Sequence, residues 1–538
     1  MLLTNEGLKN RQDFAGYRLP CFNREEVIKK TMEHPAWLHF GAGNIFKAFQ
    51  ADACQRLLEA GHCDTGIIAV ERRKKQEDEN DGLFIKVTLK SDGNVEKAVI
   101  ASVSEQLFLY GDEARLTEIF ENPSLQMVSF TITEKGYLIR DVNGDYLPEV
   151  EEDLSRDRNT DGGPAQSVKS GMMIESVTGD AIKGERSAQY AKSYMGKIAA
   201  MLFARYKKNK APLAMVSMDN YSHNGDKLKD VIMTFAEAWD SEGFGKWLEE
   251  SVSFPWSMID KITPVPDASV SAMLEEDGLP PGTPFVNAEE SEYLVIEDSF
   301  PNGRPALEKA GIYFTDRETV DKMERMKVCT CLNPLHTGLA IFGCLLGYQR
   351  IWQEMQDEDL RKLAEKIGLE GLPVVSDPGI IKPRDFIDTV LKVRLPNPFM
   401  PDSPQRIASD TSQKLPIRFG ETIKAYLASD RLSVSSLRLI PLVYAAWLRY
   451  LMAIDDNGTA FELSYDPLLG KVQPYVKDMK LGKEPDFSAL EPLLRNDAIF
   501  GVDLEEAGLS EKVCAYFTEL TAGPGAVRAA LHKYVTSD

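Results

Sequence analysis

The chain has 538 residues, 43% of them hydrophobic and 27% charged, a balance that fits a globular protein with more than one core. Its net charge of −21 excludes a non-specific nucleic-acid binder, which needs a basic surface, but allows an anionic small molecule held by a local group of Arg and Lys. The most apolar stretches, 335–348 and 437–454, are respectively too short to span a bilayer and interrupted by Arg438 and Arg449, so no membrane span is expected.

Residues 1–35 read as an N-terminal extension with short helical pieces and no basic-then-apolar leader. Strand-like runs follow at 37–41, 66–70, 84–89, 98–103 and 126–133, alternating with helix-like runs. This predicts a sheet with helices on its faces over 36–316. Here Leu38-His39-Phe40 runs into Gly41-Ala42-Gly43, and an amphipathic stretch from Asn44 to about Ala60 follows. Some 25 residues further on, a second apolar run ends in Glu71. That is the layout of a dinucleotide-binding βαβ unit. The glycines let the main chain turn and approach a pyrophosphate, the helix N-terminus offers free N–H groups, and the acid takes ribose hydroxyls. Gly41, Ala42, Gly43, Asn44, Ile45 and Glu71 are therefore expected to bind a cofactor. Phe46 stands where the fingerprint has its third glycine, so a plain strand–turn–helix is the alternative.

Residues 148–172 turn acidic and then rich in Gly, Asn and Ser. The acids of 157–164 lack the terminal Glu of a calcium loop, and a surface loop is expected. A helix over 187–208, a strand over 213–218, a helix over 227–239 and a strand over 293–297 come next. Beyond about 316 helical periodicity dominates, at 320–326, 334–353, 358–365, 416–428, 435–454, 510–520 and 525–535. This predicts a mostly helical domain over 317–538. Seven scattered cysteines, without a CxxC pair, point to a reduced, cytoplasmic protein. Cys329-x-Cys331 and six isolated histidines offer no usual metal set.

Four segments carry chemistry. Ser217 to Gly225 places polar groups at the carboxyl end of a strand, where open α/β sheets bind ligands; a turn with a helix cap is the alternative. In Phe254 to Pro264, Asp260 sits among apolar residues and either needs a buried partner or pairs with Lys261 at the surface. In Lys327 to His336, Asn333-Pro334 reads as an N-cap followed by the first helical residue. His336 would then lie in the first turn. An amide, an imidazole and an upstream amine meeting there can bind a carbonyl and exchange its proton, or Asn333 only caps and His336 only packs. Arg406, Lys414 and Arg418 fall within thirteen residues, where they either neutralise nearby acids or hold a carboxylate or a set of hydroxyls.

Taken together these segments resemble the long-chain mannitol dehydrogenase family, which includes mannitol 2-dehydrogenase, fructuronate reductase and tagaturonate reductase. Ile259-Asp260-Lys261 is similar to its "VDR" signature, Asp219-Asn220 with Asn224-Gly225 to its "DN…NG", and Thr133-Glu134-Lys135-Gly136-Tyr137 to its "TE-x-GY". Val295-Ile296-Glu297-Asp298 with Gly303-Arg304-Pro305 matches "VIED…GRP", and Asn333-x-x-His336 and Arg406 with Lys414 fall in order. The resemblance implies an α/β fold: an N-terminal Rossmann-type domain, then a mostly α-helical C-terminal domain, with the active site in a cleft between them. It further implies metal-free hydride transfer between NAD(H) and a secondary alcohol or ketone. Asn220 and Asn333 would polarise the substrate oxygen, with Asp260 and His336 supporting. Thr133, Glu134 and Asn220 would also touch the cofactor. Arg406 and Lys414 would hold substrate.

The family places its catalytic lysine five residues before the asparagine, where this chain has Val328; Lys327 lies one residue upstream. On a strand that offset points the side chain to the wrong face, whereas on a bulge or irregular turn it still reaches, and Lys327 is the expected general acid–base. Glu71 favours NAD over NADP by repelling a 2′-phosphate, although Arg72 and Arg73 beside it could take one. Lys135, Arg406, Lys414 and Arg418 favour a uronate over a neutral polyol. The expected reaction interconverts D-fructuronate and D-mannonate. Mannitol 2-dehydrogenase, tagaturonate reductase and a non-catalytic NAD(H)-binding sensor are the alternatives.

Overall fold

The computed structural model describes residues 1–73, 80–155, 191–265 and 268–537. They divide into two compact units, one of residues 1–88 and 95–320, the other of residues 89–94 and 321–538.

The first unit is built on six parallel strands, numbered here within their sheet: β1 (Trp37–Phe40), β2 (Ile67–Glu71), β3 (Val103–Phe108), β4 (Met127–Phe130), β5 (Leu213–Ser217) and β6 (Val252–Ser253). Their order across the sheet is β3-β2-β1-β4-β5-β6, the doubly wound arrangement of a Rossmann-type domain. A parallel sheet covered on both faces needs near-continuous apolar strands. Leu38, Phe40, Ile68, Val70, Val128 and Phe130 enter one core, while Trp37, Ile67, Ala69 and Met127 enter the other, as the two-residue period requires.

Two smaller sheets complete the unit. One orders Tyr17–Arg18, Val95–Ile100, Phe84–Leu89 and Phe285–Glu289; the other holds Ser257–Asp260, Tyr293–Glu297 and Tyr313–Thr315. The first 35 residues are integrated into this unit. Tyr17–Arg18 pairs with Lys97–Ala98, and Arg24 donates to the carbonyls of Ala101 and Val103. The strand expected at 98–103 is instead the end of one strand and the start of another, because Ile100 closes a strand and only Ala101 and Ser102 separate it from Val103, which opens β3. The surface loop expected around 157–164, and the start of the helix expected at 187–208, lie outside the described residues; the helix runs over Tyr194–Lys208.

The second unit is helical apart from the short segment 89–94. Leu439–Leu451 is buried along its whole length and packs against Ser510–Leu520, while Asn333–Leu346 packs against Glu358–Gly371. The Glu370 carboxylate accepts the N–H groups of Arg438, Leu439 and Ile440 and so caps the central helix from outside. The helix expected over 334–353 is two, Asn333–Leu346 and Ile351–Glu354, because Gly347 at φ +80 ends the first. The run 317–346 meets the length and apolarity of a membrane span, but 72% of its apolar window is buried inside the protein, as befits a core helix.

Arg205 shows how the Rossmann-type unit closes its lower edge. Its buried guanidinium donates to the carbonyls of Phe120, Asn122, Leu125, Ala211 and Pro212, and burial lowers its pKa to about 10. Arg205→Leu should lower stability by about 3–5 kcal/mol in urea unfolding followed by tryptophan fluorescence. A loss below about 1 kcal/mol would mean that water replaces the five bonds.

Candidate active site

In the first unit the glycine turn fills the gap between β1 and β4, where the strand order reverses. Gly41 sits at φ +96, and a β-carbon there would lie 2.2 Å from the Thr131 carbonyl oxygen, so only glycine fits. The first helical bond, from Lys47 N–H to Gly43 O at 3.0 Å, leaves the amides of residues 44–46 ahead of it without intrahelical partners. Phe46 is buried and stacks on His39 with ring centres 4.2 Å apart, and the helix opens into a π turn over Phe46–Gln50. The wide turn accommodates a ring where a glycine would have let the helix close on the strand.

A buried hydrogen-bond relay underlies this turn. Trp37 Nε1 donates to Ser129 Oγ at 2.7 Å; His39 lies 2.7 Å from Ser129 Oγ through Nδ1 and 2.9 Å from Thr131 Oγ1 through Nε2; Thr131 Oγ1 donates to Gly41 O at 2.7 Å. Each hydroxyl has one proton, so only one direction satisfies every member. Ser129 gives its proton to Nδ1, and a neutral His39 gives its Nε2 proton to Thr131. Burial lowers the His39 pKa to about 3.

Asp219 binds the neighbouring strand ends together. Its carboxylate accepts the N–H groups of Ile132 (3.0 Å) and Thr133 (2.8 Å) and the Tyr137 hydroxyl (2.7 Å), while burial pushes its pKa upward. Thr133, itself at φ +62, and Glu134 follow β4; Asn220 follows Asp219 beyond β5; all three are exposed. Asn224 Nδ2 donates to Asp219 O and Ser257 O, both at 2.9 Å, and a β-carbon at Gly225 would lie 2.4 Å from Phe254 O. Asn224 and Gly225 therefore hold this edge together, and Asn220 is the member presented outward. Glu71 ends β2 half-buried, and the guanidinium groups of Arg72 and Arg73 lie 5.8 and 5.3 Å from the Tyr110 ring centre.

Asp260 and Lys261 are both buried, so the surface pair considered from sequence does not form. Lys261 Nζ donates to Glu289 O (2.6 Å) and Glu292 Oε2 (3.2 Å), and burial lowers its pKa to about 8. Asp260 closes the strand Ser257–Asp260.

In the second unit Lys327 is buried at the head of a π turn, Lys327–Cys331, that leads into the helix Asn333–Leu346. Leu332 N–H donates to Lys327 O and His336 N–H to Leu332 O, both at 3.1 Å, so one i→i+5 step replaces an α-helical step. The segment is neither strand nor loop. Its wide turn absorbs the residue that lengthens the Lys327–Asn333 spacing and keeps Lys327 in line with Leu332 and His336. Asn333 is not the N-cap expected from its place before Pro334. Leu332 takes that position, and the Asn333 side chain makes no hydrogen bond among the described residues.

His336 is half-buried, and its buried Nε2 has no hydrogen-bond partner among the described residues; Asp402 Oδ2 is 3.8 Å away. Burial lowers its pKa to about 4, aided by the guanidiniums of Arg418, Arg406 and Arg394 and opposed by Asp402. Arg406 pairs with Asp402. Lys414 donates to the carbonyls of Ile407 and Ser409, and burial lowers its pKa to about 8, with Arg418 adding to the effect. Lys327, Asn333, His336, Arg406 and Lys414 thus belong to one helical unit. Glu71, Thr133, Glu134, exposed Lys135, Asn220 and Asp260 belong to the other. Sequence reasoning quoted Asp219 within its Asp219-Asn220 motif but gave it no role, and it missed Arg394, Asp402 and the His39 relay. Of these three, only His39 left a signal, a polar residue in an apolar strand in register with Ser129. Among the described residues no group of three or more His, Cys, Asp or Glu is placed to hold a metal ion.

Family models describe the same two parts. The mannitol dehydrogenase Rossmann domain matches residues 35–309, and the mannitol dehydrogenase C-terminal domain matches residues 319–521. The chain belongs to the mannitol dehydrogenase family. It is 47% identical to a D-mannonate oxidoreductase of Thermotoga maritima over 99% of each chain, and 29% identical to a polyol:NADP oxidoreductase of Gluconobacter oxydans over 96% of this chain and 97% of that one. It also resembles the solved structure of Pseudomonas fluorescens mannitol 2-dehydrogenase in a ternary complex with NAD and D-mannitol, with 27% identity, full coverage of both chains and a TM-score of 0.68. The glycine turn of this family member, with its unpartnered amides, fits an anionic phosphate, and the Glu71 carboxylate fits a pair of hydroxyls.

The relay makes a prediction about acid stability. His39 has a folded pKa of about 3 against an unfolded value near 6.5, so the unfolded chain takes up a proton first as pH falls. Its contribution to stability should be complete above pH about 6.5 and fall by about 1.4 kcal/mol per pH unit below it, until His39 itself is protonated. Urea midpoints measured between pH 7 and about 4.5 should fall less steeply for His39→Gln than for the parent. Equal slopes would show that His39 titrates normally.

Proposed function

We propose that the chain is an NAD-dependent oxidoreductase interconverting D-fructuronate and D-mannonate. The observation that carries this reading is the 47% identity to the Thermotoga maritima D-mannonate oxidoreductase along nearly the whole of both chains. The cations grouped about His336 support a carboxylate-bearing substrate. The likeness to mannitol 2-dehydrogenase favours a neutral polyol as the second reading. The seven free cysteines suit the reducing cytoplasm, which we propose as its location.

Bound NAD(H) supplies or accepts the hydride. Gly41, Ala42, Gly43, Asn44 and Ile45 would hold its pyrophosphate, Glu71 its adenine-side ribose, and Thr133, Glu134 and Asn220 its nicotinamide half. Asn220 and Asn333 would donate to the substrate oxygen as negative charge grows there, and the unengaged amide of Asn333 suits that task. Lys327 would give the proton that turns alkoxide into alcohol and take it back in the reverse direction. It is buried at the head of the π turn that leads to Asn333. His336 is held neutral and so acts as a hydrogen-bonding ligand, with Asp260, Lys135, Arg406 and Lys414 completing the substrate set.

The test is consumption of NADH with D-fructuronate, D-tagaturonate and D-fructose. D-Fructuronate should give the highest kcat/KM, and a preference for fructose would favour the mannitol reading. Lys327→Ala should lower kcat by at least about 1000-fold with the Kd for NADH unchanged. Near-parental turnover in that variant would remove Lys327 from the mechanism. The KM for NADPH should exceed that for NADH by about tenfold or more, and Glu71→Gln should narrow the gap. Equal constants in the parent would mean that Arg72 and Arg73 govern the choice.

A further inference from the structure

Arg205 and Arg449 are buried arginines and Arg418 is half-buried, and their surroundings differ. Arg205 donates to five main-chain carbonyls, and Arg449 to those of Leu520, Ile454 and Asp455. Arg418 has a single hydrogen-bond partner among the described residues, the neutral Thr337 hydroxyl. That hydroxyl directs its own proton to Asn333 O at 2.9 Å, so Arg418 stands over the first turn of the fourteen-residue helix Asn333–Leu346. Burial lowers its pKa to about 10, and no carboxylate offsets the effect. A guanidinium has five N–H donors in a planar fork, so a half-buried one whose single partner is a neutral hydroxyl keeps donors for an anion. The neighbouring cations are already engaged, Arg406 with Asp402 and Lys414 with two carbonyls. The His336 Nε2 beside it is buried and unpartnered, and the amino end of the helix adds positive potential.

We infer that Arg418 receives the carboxylate of the sugar-acid substrate in a forked pair of hydrogen bonds, and that this residue, rather than Arg406 or Lys414, sets the preference for an acid over a neutral sugar. The inference rests on the reading that the chain reduces a keto-uronate. D-Fructose carries CH2OH where D-fructuronate carries the carboxylate, so the two ketones isolate this contact.

The experiment measures kcat and KM for both ketones, with saturating NADH, on the full chain and on Arg418→Met and Arg418→Lys. Arg418→Met should raise KM for D-fructuronate about 100-fold while kcat falls less than about threefold and fructose kinetics stay within about threefold. Arg418→Lys, which keeps the charge but loses the fork, should recover about tenfold of that loss and serves as the test if the Met variant fails to fold. Equal losses on both ketones, or a lower kcat with unchanged KM, would overturn the inference and assign Arg418 a structural role. A parent enzyme that reduces fructose and not fructuronate would overturn the proposed function itself, and this inference with it.

Discussion

A histidine inside a parallel sheet must have both ring nitrogens satisfied or remain an expensive flaw. In this chain the requirement is met by Ser129 and Thr131, both on or just beyond the strand next to His39, and it fixes more than the ring. Thr131 passes the relay to Gly41 O, in the turn whose closeness to the Thr131 main chain forbids any side chain. Gly41 in turn sets where the helix begins and which amides stay free. Asp219 works on the same edge from the other side, holding Ile132 and Thr133 by their N–H groups. The carboxyl ends of β1, β4 and β5 are thereby tied into one surface before any ligand arrives, and little reorganisation remains to be done on binding.

The helical unit solves the opposite problem, that of keeping polar groups available. His336 stays neutral because desolvation and the arginines near it disfavour the imidazolium, Lys414 has its pKa lowered by burial, and the Asn333 amide is uncommitted because Leu332 occupies the cap position. Three π turns stand at these segments and at the glycine turn: Phe46–Gln50, Lys327–Cys331 and Pro416–Gly420. A π turn leaves a wide, loosely bonded ring in the helix, and such turns recur at functional sites for that reason.

Much of the architecture was legible in the sequence because buried parallel strands must be apolar runs and because a glycine turn between strand and helix has few physical purposes. The limits were equally physical. Ala98 to Val103 is one apolar run but belongs to two strands, and periodicity does not mark a bend between them. Asn333-Pro334 has the composition of a helix start, yet the chain reaches it from another helix, so the usual cap is not needed. Asp260-Lys261 looked like a pair, but Lys261 turns to Glu289 and Glu292. The solitary state of Arg418 depends on what lies near it across 81 residues of sequence, which no local pattern records.

The turn at Lys327–Cys331 also bears on how relatives should be compared. Counting residues from lysine to asparagine makes this chain look broken, whereas following the main-chain ladder from Lys327 to Leu332 to His336 shows an unbroken track. A helix that can trade an i→i+4 step for an i→i+5 step tolerates the gain or loss of one residue without rotating what lies on either side. Chemistry placed beyond such a step is insulated from small changes in chain length, and a gap in an alignment there need signify no change in the reaction.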